Sequence, residues 1–236
     1  MWKLWWRVPI LGYHRVGPMR NDHVPTVSAS AFEWQMAYLA RHRYTVMPLP
    51  ELGQKLSRRE AVGRKTVAIT FDDGYEGTAT LAAPILHRYG FRATVFVTPS
   101  EVAMPGFMTW EQIKMIAQDG VIIGSHTMHH TYLPMVSHEK AQVELAESKR
   151  ALELQLGQAI EWLSYPVGGY TVAVQELAKQ IGYRGACTTN RGIHKWTTDL
   201  YALRRIKITE ADQHPLLLRA KLSGFYDCFR TLRSPA

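Results

Sequence analysis

Two adjacent carboxylates, Asp72 and Asp73, stand directly after the apolar run of residues 67–71 and directly before Gly74. Two such acids repel each other, and burying either one without a partner costs several kcal/mol. Because Asp-Gly is also a common turn signal, one interpretation is an ordinary polar turn at the end of a strand. The other interpretation is a chemical site in which the two acids have separate roles.

A second group of polar side chains, SHTMHH, occupies residues 125–130. His126 and His130 are four residues apart, so a single helical turn would place both imidazoles on one face. Neutral imidazoles are good zinc ligands, and two histidines with one carboxylate leave coordination positions open for water. The HxxxH spacing is weak evidence by itself, but an Asp-Asp-Gly strand end in the same fold strengthens it. The spacing of His129 points its ring elsewhere, towards a supporting position or solvent.

The elements that must position these residues alternate along the chain. Apolar runs predict strands at residues 8–14, 66–71, 92–98, 121–126, 159–166, 184–189 and 203–208. Helical patterns cover residues 30–42, 80–90, 109–120, 137–156 and 172–182, with capping boxes at Ser30-x-x-Glu33 and Thr109-x-x-Gln112. This alternation indicates a parallel sheet, and strands without polar alternation indicate a sheet covered on both faces. An α/β fold with one barrel-like (β/α) domain is the simplest arrangement, and a doubly wound open sheet is the alternative.

Polar residues stand at the carboxyl ends of several predicted strands. His14 ends the strand at 8–14, Asp72 and Asp73 follow the strand at 66–71, and His126 ends the strand at 121–126. The segment YPVGG at residues 165–169 lies at the end of a further strand. In a (β/α) barrel these ends open onto one face, which carries the active site. The sequence therefore predicts that residues far apart in the chain meet in one pocket.

The motifs TFDDG at residues 70–74 and HTMHH at 126–130 resemble those of the polysaccharide deacetylase family, the NodB homology family or carbohydrate esterase family 4. That family pairs a T-F-D-D-G motif with a later H-S/T-x-x-H motif. The segments VPILGYHRVG and SYPVGGY further resemble its subgroup that deacetylates poly-N-acetylglucosamine. The resemblance spans roughly residues 8–210 and implies a single distorted (β/α)7 TIM-like barrel domain over residues 1–236. The implied activity is hydrolysis of an N-acetyl group on a sugar or polysaccharide, which releases acetate and a free amine.

The resemblance also implies residue roles, position by position. Asp72 matches the catalytic base. The positions that match the metal ligands are Asp73, His126 and His130. The implied cofactor is a divalent cation, with Zn2+ first and Co2+, Ni2+, Mn2+ or Fe2+ as alternatives. The positions that match substrate-binding residues are Tyr75, through its backbone N–H to the oxyanion, Leu133 in the acetyl pocket, and Tyr165 and Pro166 in the Y-P-x-G segment.

The sequence departs from the family pattern in two places. Ser164 occupies the position of the arginine that steadies the base, and Arg205 is the candidate to supply that charge from a neighbouring strand; we group it with the substrate-binding residues. The late L-x-H motif that supplies the general acid is not evident. In the poly-N-acetylglucosamine subgroup the early Y-H histidine replaces it, which makes His14 the candidate acid, with His194 and His214 as alternatives. A buried histidine that caps a strand end is the other interpretation of His14.

The composition limits the partners. The chain has 236 residues, 46% of them hydrophobic, and a formal net charge of +8, which favours acidic partners such as anionic glycans, membranes or nucleic acid. The sequence contains no basic helix interleaved with aromatics and no nucleic-acid-binding motif, so no nucleic-acid role is expected. Cys187 and Cys228 form no CxxC pair and indicate neither a thiolate metal site nor a redox motif. Nothing in the sequence indicates an oligomeric state.

The N-terminus combines tryptophans with cations. Residues 1–17 contain no long apolar core and no small-residue cleavage site, so we expect no signal peptide and a cytoplasmic location. Trp2, Trp5 and Trp6 lie among cationic residues, as in an interfacial anchor, so residues 1–7 are a candidate for peripheral contact with the inner membrane. The same tryptophans would also suit the bottom of a barrel. No apolar run approaches the roughly 20 residues of a membrane span.

Two rival functions remain open at this point. A lipid-linked sugar as substrate fits the Trp-rich start and the apolar, basic segment 214–233, although a helix packed on the barrel explains that segment as well. A non-catalytic carbohydrate-binding barrel fits the missing motif arginine. The complete set of carboxylates and histidines argues against that second rival, because a binding module has no need of a metal set.

Overall fold

Eleven strands and seven α-helices are present in the computed structural model, which describes residues 8–20, 22–189, 199–223 and 226. The strands are β1 (Ile10–Tyr13), β2 (Arg15–Val16), β3 (Thr26–Val27), β4 (Thr45–Val46), β5 (Thr66–Phe71), β6 (Thr94–Val97), β7 (Ile122–Ser125), β8 (Trp162–Ser164), β9 (Gly185–Thr188), β10 (Leu203–Arg204) and β11 (Ile206–Lys207). The helices are α1 (Ala29–Arg41), α2 (Leu49–Ser57), α3 (Ala83–Arg88), α4 (Trp110–Gln118), α5 (His138–Leu156), α6 (Val172–Ile181) and α7 (Pro215–Leu222). The Trp-rich segment 1–7, His194 and Cys228 lie outside the described residues, so the predictions made for them stay predictions.

The main sheet is parallel and nearly closes on itself. Six strands are hydrogen-bonded in the order β9, β8, β7, β6, β5, β1, and every neighbouring pair is parallel. At the two ends of this series, β10 pairs with β9 and β11 pairs with β1. Only Arg205 separates β10 from β11, so residues 203–207 act as a seventh strand that joins the two edges. The predicted distorted (β/α)7 barrel is confirmed, and the open-sheet alternative is wrong.

The barrel strands separate two apolar layers, because successive side chains of a strand point to opposite faces. The outer layer packs the strands against the surrounding helices. The inner layer fills the amino-terminal half of the barrel, and its buried strand residues are Ile10, Ala68, Phe96, Trp162, Cys187 and Leu203. A sheet covered on both faces explains why its strands show no polar alternation in the sequence.

Helix α2 closes the amino-terminal end of the barrel. Its leucines, including Leu52 and Leu56, pack into the inner layer beside Trp162. Gly53 faces the same ring so closely that an added Cβ would lie 2.3 Å from an indole carbon. The sequence patterns do not predict this helix, because the segment is only nine residues long and Gly53 weakens its helical propensity.

Replacing Gly53 with Ala should lower the midpoint of thermal unfolding, even though alanine favours helices by about 1 kcal/mol over glycine. The added Cβ meets the buried indole of Trp162, and overpacking of this kind costs about 1–3 kcal/mol. Circular dichroism during heating measures the effect. Gly63→Ala is the control, because its nearest neighbour is the Thr66 hydroxyl at 3.4 Å. A raised midpoint for Gly53→Ala would show that α2 does not seat against Trp162.

The first helix begins at a different cap from the predicted one. Ser28 is the N-cap of α1, and its Oγ accepts the N–H of Ala31. The predicted Ser30-x-x-Glu33 capping box is therefore wrong. The reason lies far along the chain, since the carboxylate of Glu210 accepts both the N–H and the hydroxyl of Ser28 and fixes it at the helix start.

Other boundaries agree with the sequence predictions to within a few residues. The Thr109-x-x-Gln112 capping box of α4 is confirmed. Helix α7 buries Leu218 and Leu222, which supports the interpretation of this segment as a helix packed on the barrel. Among the helices in the described ranges, none combines the length and the apolar character needed to cross a membrane.

Candidate active site

Five polar side chains meet at the carboxyl ends of the barrel strands. They stand directly after or at the end of different strands and are His14, Asp72, His126, Ser164 and Arg205. Strand alternation places them on the inner face, above the apolar inner layer. The convergence predicted from the sequence is therefore present, at the end of the barrel opposite α2.

Asp73, His126 and His130 form a cluster that suits a metal ion. The Oδ1 atom of Asp73 lies 3.3 Å from Nε2 of His126 and 3.4 Å from Nε2 of His130. One ligand atom from each of the three residues lies within 4.8 Å of the others. The buried Oδ1 has no hydrogen bond of acceptable geometry to any described residue, although two ring nitrogens face it. A buried oxygen in this situation is expected where a cation, rather than a proton donor, completes the group.

The hydrogen bonds and charges of the cluster also suit the binding of a metal ion. Nδ1 of His126 lies 2.7 Å from the backbone carbonyl oxygen of Ser164 and donates to it, so Nε2 is the nitrogen that faces Asp73 and that carries the lone pair in the neutral ring. Burial raises the pKa of Asp73, but the neighbouring imidazoles outweigh it and hold that pKa well below its usual range. An ionised carboxylate and two imidazole nitrogens are ligands that Zn2+ accepts, with a position left for water or substrate. The residues present therefore fit a divalent cation.

The backbone around this cluster is unusual. Asp73, Thr127 and His130 have φ angles of 71°, 66° and 54°, in the left-handed region that non-glycine residues rarely adopt. No helical turn joins His126 to His130, so the premise of a shared helix face is wrong. The two rings converge because a loop with two left-handed residues turns His130 back towards His126, with ring centroids 4.9 Å apart. Strained backbone of this kind concentrates at functional sites, where the surroundings hold it in place.

Asp72 is held by a buried arginine and not by the metal cluster. Nη1 of Arg205 donates to Oδ1 of Asp72 at 2.7 Å, and Nη2 donates to Oδ2 at 2.6 Å. Burial raises the pKa of Asp72, but the Arg205 charge outweighs it and holds the pKa below its usual value. Arg205 also donates to the hydroxyls of Ser164 and Thr70, at 2.9 and 3.3 Å. The positive charge predicted to come from a neighbouring strand is therefore present on Arg205. Ser164, which occupies the family's arginine position, accepts a hydrogen bond from Arg205.

Replacing Arg205 with Lys should reduce turnover by up to about 100-fold while leaving bound metal unchanged. A single ammonium group cannot reproduce two parallel bonds to one carboxylate, so Asp72 loses its fixed orientation. Acetate release and metal content measured on the same preparation check this. Arg204→Lys is the matched control, because strand alternation points that side chain to the opposite face. Normal turnover in Arg205→Lys would show that orientation of Asp72 is not limiting.

His14 lies on the other side of Asp72. Its Nε2 is 4.0 Å from Oδ2 of Asp72, and its side chain is 22% exposed, so it can reach a bound molecule. Its buried Nδ1 has no hydrogen-bond partner among the described residues. Burial lowers the pKa of His14, and the charges of Asp72 and Asp73 only partly oppose this, so the pKa stays below its usual value. The geometry places an imidazole next to the base and outside the metal cluster.

Tyr75 lies at the edge of the site beside Asp73. Gly74 and Glu76 make the backbone hydrogen bonds that pair this segment with residues 106–108, so the N–H of Tyr75 takes no part in that pairing. Its ring stacks on Phe107 with centroids 4.9 Å apart. This leaves the N–H of Tyr75 available for the predicted role at the oxyanion, which stays a prediction.

The other predicted substrate-binding residues are more deeply placed. Leu133 is buried at the start of a single 3-10 turn that follows the histidine loop. Pro166 is buried at the start of the turn after β8. Tyr165 points to the outer layer, is fully buried, and donates its hydroxyl to the backbone carbonyl of Tyr201. Its ring therefore lies on the opposite face of the strand from the candidate site, and only its backbone neighbours the site.

Two other histidines of the described residues lie away from this centre. His129 directs its ring to Glu144 on α5, with Nδ1 2.9 Å from the carboxylate, as its spacing predicts. His214 caps α7, where its Nδ1 accepts the N–H of Leu216. Glu144 could not be found from the sequence, because a glutamate inside a helix carries no motif that marks it. Thr70 is the first residue of the TFDDG motif, but the sequence assigned no role to its hydroxyl.

Comparisons with known proteins found one matching family model and several similar proteins. The family model for polysaccharide deacetylase matches residues 59–186. YxkH of Bacillus subtilis, provisionally named a polysaccharide deacetylase, is 32% identical over 203 residues, or 86% of this chain and 72% of that protein. The peptidoglycan-N-acetylglucosamine deacetylase of Bacillus cereus is 34% identical over 122 residues, or 51% of this chain and 54% of that protein. The structure of the Streptococcus pyogenes deacetylase PplD in complex with acetate has a TM-score of 0.86 at 28% identity, covering 92% of this chain and 99% of that chain.

The matched parts of the chain include the candidate site. The segment matched by the family model contains both aspartates and both histidines of the candidate site. The similarity to YxkH covers most of both proteins, and the agreement with PplD covers nearly all of each chain. The chain therefore belongs to the polysaccharide deacetylase family.

Proposed function

We propose that the protein is a metal-dependent hydrolase that removes acetyl groups from N-acetylglucosamine units of a glycan, releasing acetate and leaving a free amine. The observation that carries this proposal is the division of labour between two adjacent acids. Asp73 faces two imidazole nitrogens that suit a cation, while both oxygens of Asp72 are bound by Arg205. A binding module has no need of a set of metal-ligand side chains beside a separately held carboxylate.

The reaction has to overcome two weaknesses of an amide. The carbonyl is a poor electrophile, and the amine is a poor leaving group. A divalent cation held by Asp73, His126 and His130 would polarise the carbonyl and lower the pKa of water towards about 7. Asp72 accepts the proton of the attacking water, and the N–H of Tyr75 donates to the developing oxyanion. His14 donates a proton to the nitrogen as the C–N bond breaks, so that the amine leaves neutral.

The low pKa of Asp72 agrees with this assignment. A carboxylate bound by a buried arginine is a weak base, so it cannot deprotonate ordinary water efficiently. It can accept a proton from water that has been made more acidic beside a cation. Base catalysis by Asp72 therefore depends on a cation bound by Asp73, His126 and His130.

The similarities support N-acetylglucosamine as the sugar. The Bacillus cereus relative is named for the N-acetylglucosamine of peptidoglycan, although the match spans about half of each chain. The PplD structure was solved with acetate, the product that this reaction would release. The segments VPILGYHRVG and SYPVGGY point within the family to a poly-N-acetylglucosamine substrate.

One experiment tests the proposed function. Protein stripped with a chelator and reloaded with Zn2+ is incubated with poly-N-acetylglucosamine oligomers, peptidoglycan fragments and lipid-linked N-acetylated sugars, and acetate is measured. We expect release from at least one N-acetylglucosamine glycan, loss of release after chelation and recovery on adding Zn2+. Release from the lipid-linked arm alone would favour the rival substrate. No release from any arm by zinc-loaded protein would contradict the enzyme, and full activity after chelation would contradict the metal.

A further inference from the structure

The position of His130 is set by the loop that carries it. Its side chain is 36% exposed, so packing around its own ring does not fix it. His126, in contrast, is buried at the end of β7 and is held through Nδ1 by the carbonyl of Ser164. The distance between the two rings therefore depends on residues 127–129, where the backbone begins in the left-handed region at Thr127.

One residue of helix α5 holds this loop at three points. The backbone carbonyl of Glu144 accepts the N–H of Met128 at 3.1 Å. Its Oε2 accepts the N–H of His129 at 2.9 Å, and its Oε1 lies 2.9 Å from Nδ1 of the same ring. A bond between the Ser125 and Ser148 hydroxyls, one helical turn further along α5, ties the same helix to the end of β7.

The carboxylate of Glu144 is suited to this task because it is acceptor-only when ionised. Its side chain is fully buried, and Lys140 adds a third donor to the carboxylate, with Nζ 2.9 Å from Oε1. Burial raises the pKa of Glu144, but Lys140 and His129 outweigh it and keep the pKa below its usual value. A buried carboxylate is expensive unless every lone pair is used, so its presence inside the protein calls for a purpose.

We propose that Glu144 is a positioning residue for the metal centre, which sets the separation of His126 and His130 by clamping the backbone of Met128 and the whole of His129. This inference rests on the proposed metal binding by Asp73, His126 and His130. It also assigns a role to His129, the histidine of HTMHH that is not a proposed ligand and that Glu144 holds through both its backbone and its ring. Outer partners of metal ligands orient them in this way, and their loss typically costs about 10–100-fold in metal affinity.

Zinc binding to the apoprotein tests the proposal without reference to activity. Titration calorimetry compares the wild type with Glu144→Gln. The glutamine keeps the shape of the side chain, but its amide NH2 group faces an N–H group of His129 or the ammonium group of Lys140 and cannot accept a hydrogen bond from it. We expect about 10–100-fold weaker zinc binding by this variant. The visible spectrum of the Co2+-loaded variant should also change, because the spectrum reports the arrangement of the ligands.

Glu147→Gln is the matched control. Glu147 lies one turn along the same helix, has a side chain that is 46% exposed, and pairs with Arg150 of that helix at 2.7 Å. Both its zinc affinity and its Co2+ spectrum should equal those of the wild type. A Glu144→Gln protein that melts earlier but binds zinc as tightly as the wild type would overturn the proposal, since the residue would then be merely structural.

A second variant covers the case in which Glu144→Gln does not fold. Glu144→Asp keeps the charge and the bond to Lys140 within reach but withdraws the carboxylate from His129 by one methylene. Weaker zinc binding by this variant supports the positioning role, and wild-type affinity overturns it. The outcome is separable from the proposed function: a wild type that binds no zinc removes the metal site itself, whereas tight binding by both wild type and variants removes only the role of Glu144.

Discussion

Replacing Asp73 with Asn should remove both bound zinc and acetate release. Oδ1 of Asp73 is the anionic member of the cluster, and a neutral amide in its place loses the charge that attracts the cation. The loss in zinc affinity should exceed the about 10–100-fold that removal of an outer partner costs. Metal content by mass spectrometry and acetate release, measured on the same purified protein, check this result. Asp119→Asn is the control, because Asp119 is an exposed residue that caps α4.

The neighbouring variant Asp72→Asn makes the comparison sharper. Both oxygens of Asp72 are bound by Arg205, so this change should leave zinc in place and remove turnover. The two variants would then differ, because Asp73→Asn loses zinc and turnover whereas Asp72→Asn loses turnover alone. Stoichiometric zinc in Asp73→Asn would show that the ligand assignment is wrong. Loss of zinc from Asp72→Asn would show that the acids do not have separate roles.

The catalytic face could be predicted from the sequence because strand ends carry a local signal. Each apolar run of the barrel stops at a polar residue, and parallel strands of one barrel bring those ends to the same face. Asp72 and His126 can be located in this way without reference to any family. Arg205 was identified only as a candidate charge, since its contact with Asp72 depends on how residues 203–207 join β9 to β1.

The sequence could not predict how the loops hold the site. The spacing of His126 and His130 is compatible with a helical turn, and only tertiary contacts with α5 replace that turn by a loop. Helix α2 was missed for a similar reason, because burial against Trp162 outweighs its weak local propensity. In both cases contacts distant in sequence decide the backbone conformation, and no short pattern records them.

Replacing His14 with Ala should leave zinc bound and reduce acetate release from N-acetylated sugars by about 10²–10⁴-fold, the range typical for loss of a general acid. Nε2 of His14 lies 4.0 Å from Oδ2 of Asp72 and is not part of the metal cluster, so we expect the variant to retain the cation. His138→Ala, at the exposed start of α5, is the control. Near-normal release by His14→Ala would contradict the acid role.

The charge on Asp72 affects how strongly His14 acts as an acid. Burial lowers the pKa of His14, and the charge on Asp72 is the largest effect that opposes it. Once Asp72 has accepted a proton from water, that opposition disappears, so the pKa of His14 falls further and its imidazolium becomes a stronger acid. An aryl acetate ester tests this coupling, because its leaving group departs without a proton. His14→Ala should therefore lose far less activity on the ester than on the amide, and equal losses on both would show that His14 acts by some means other than proton donation to the leaving nitrogen.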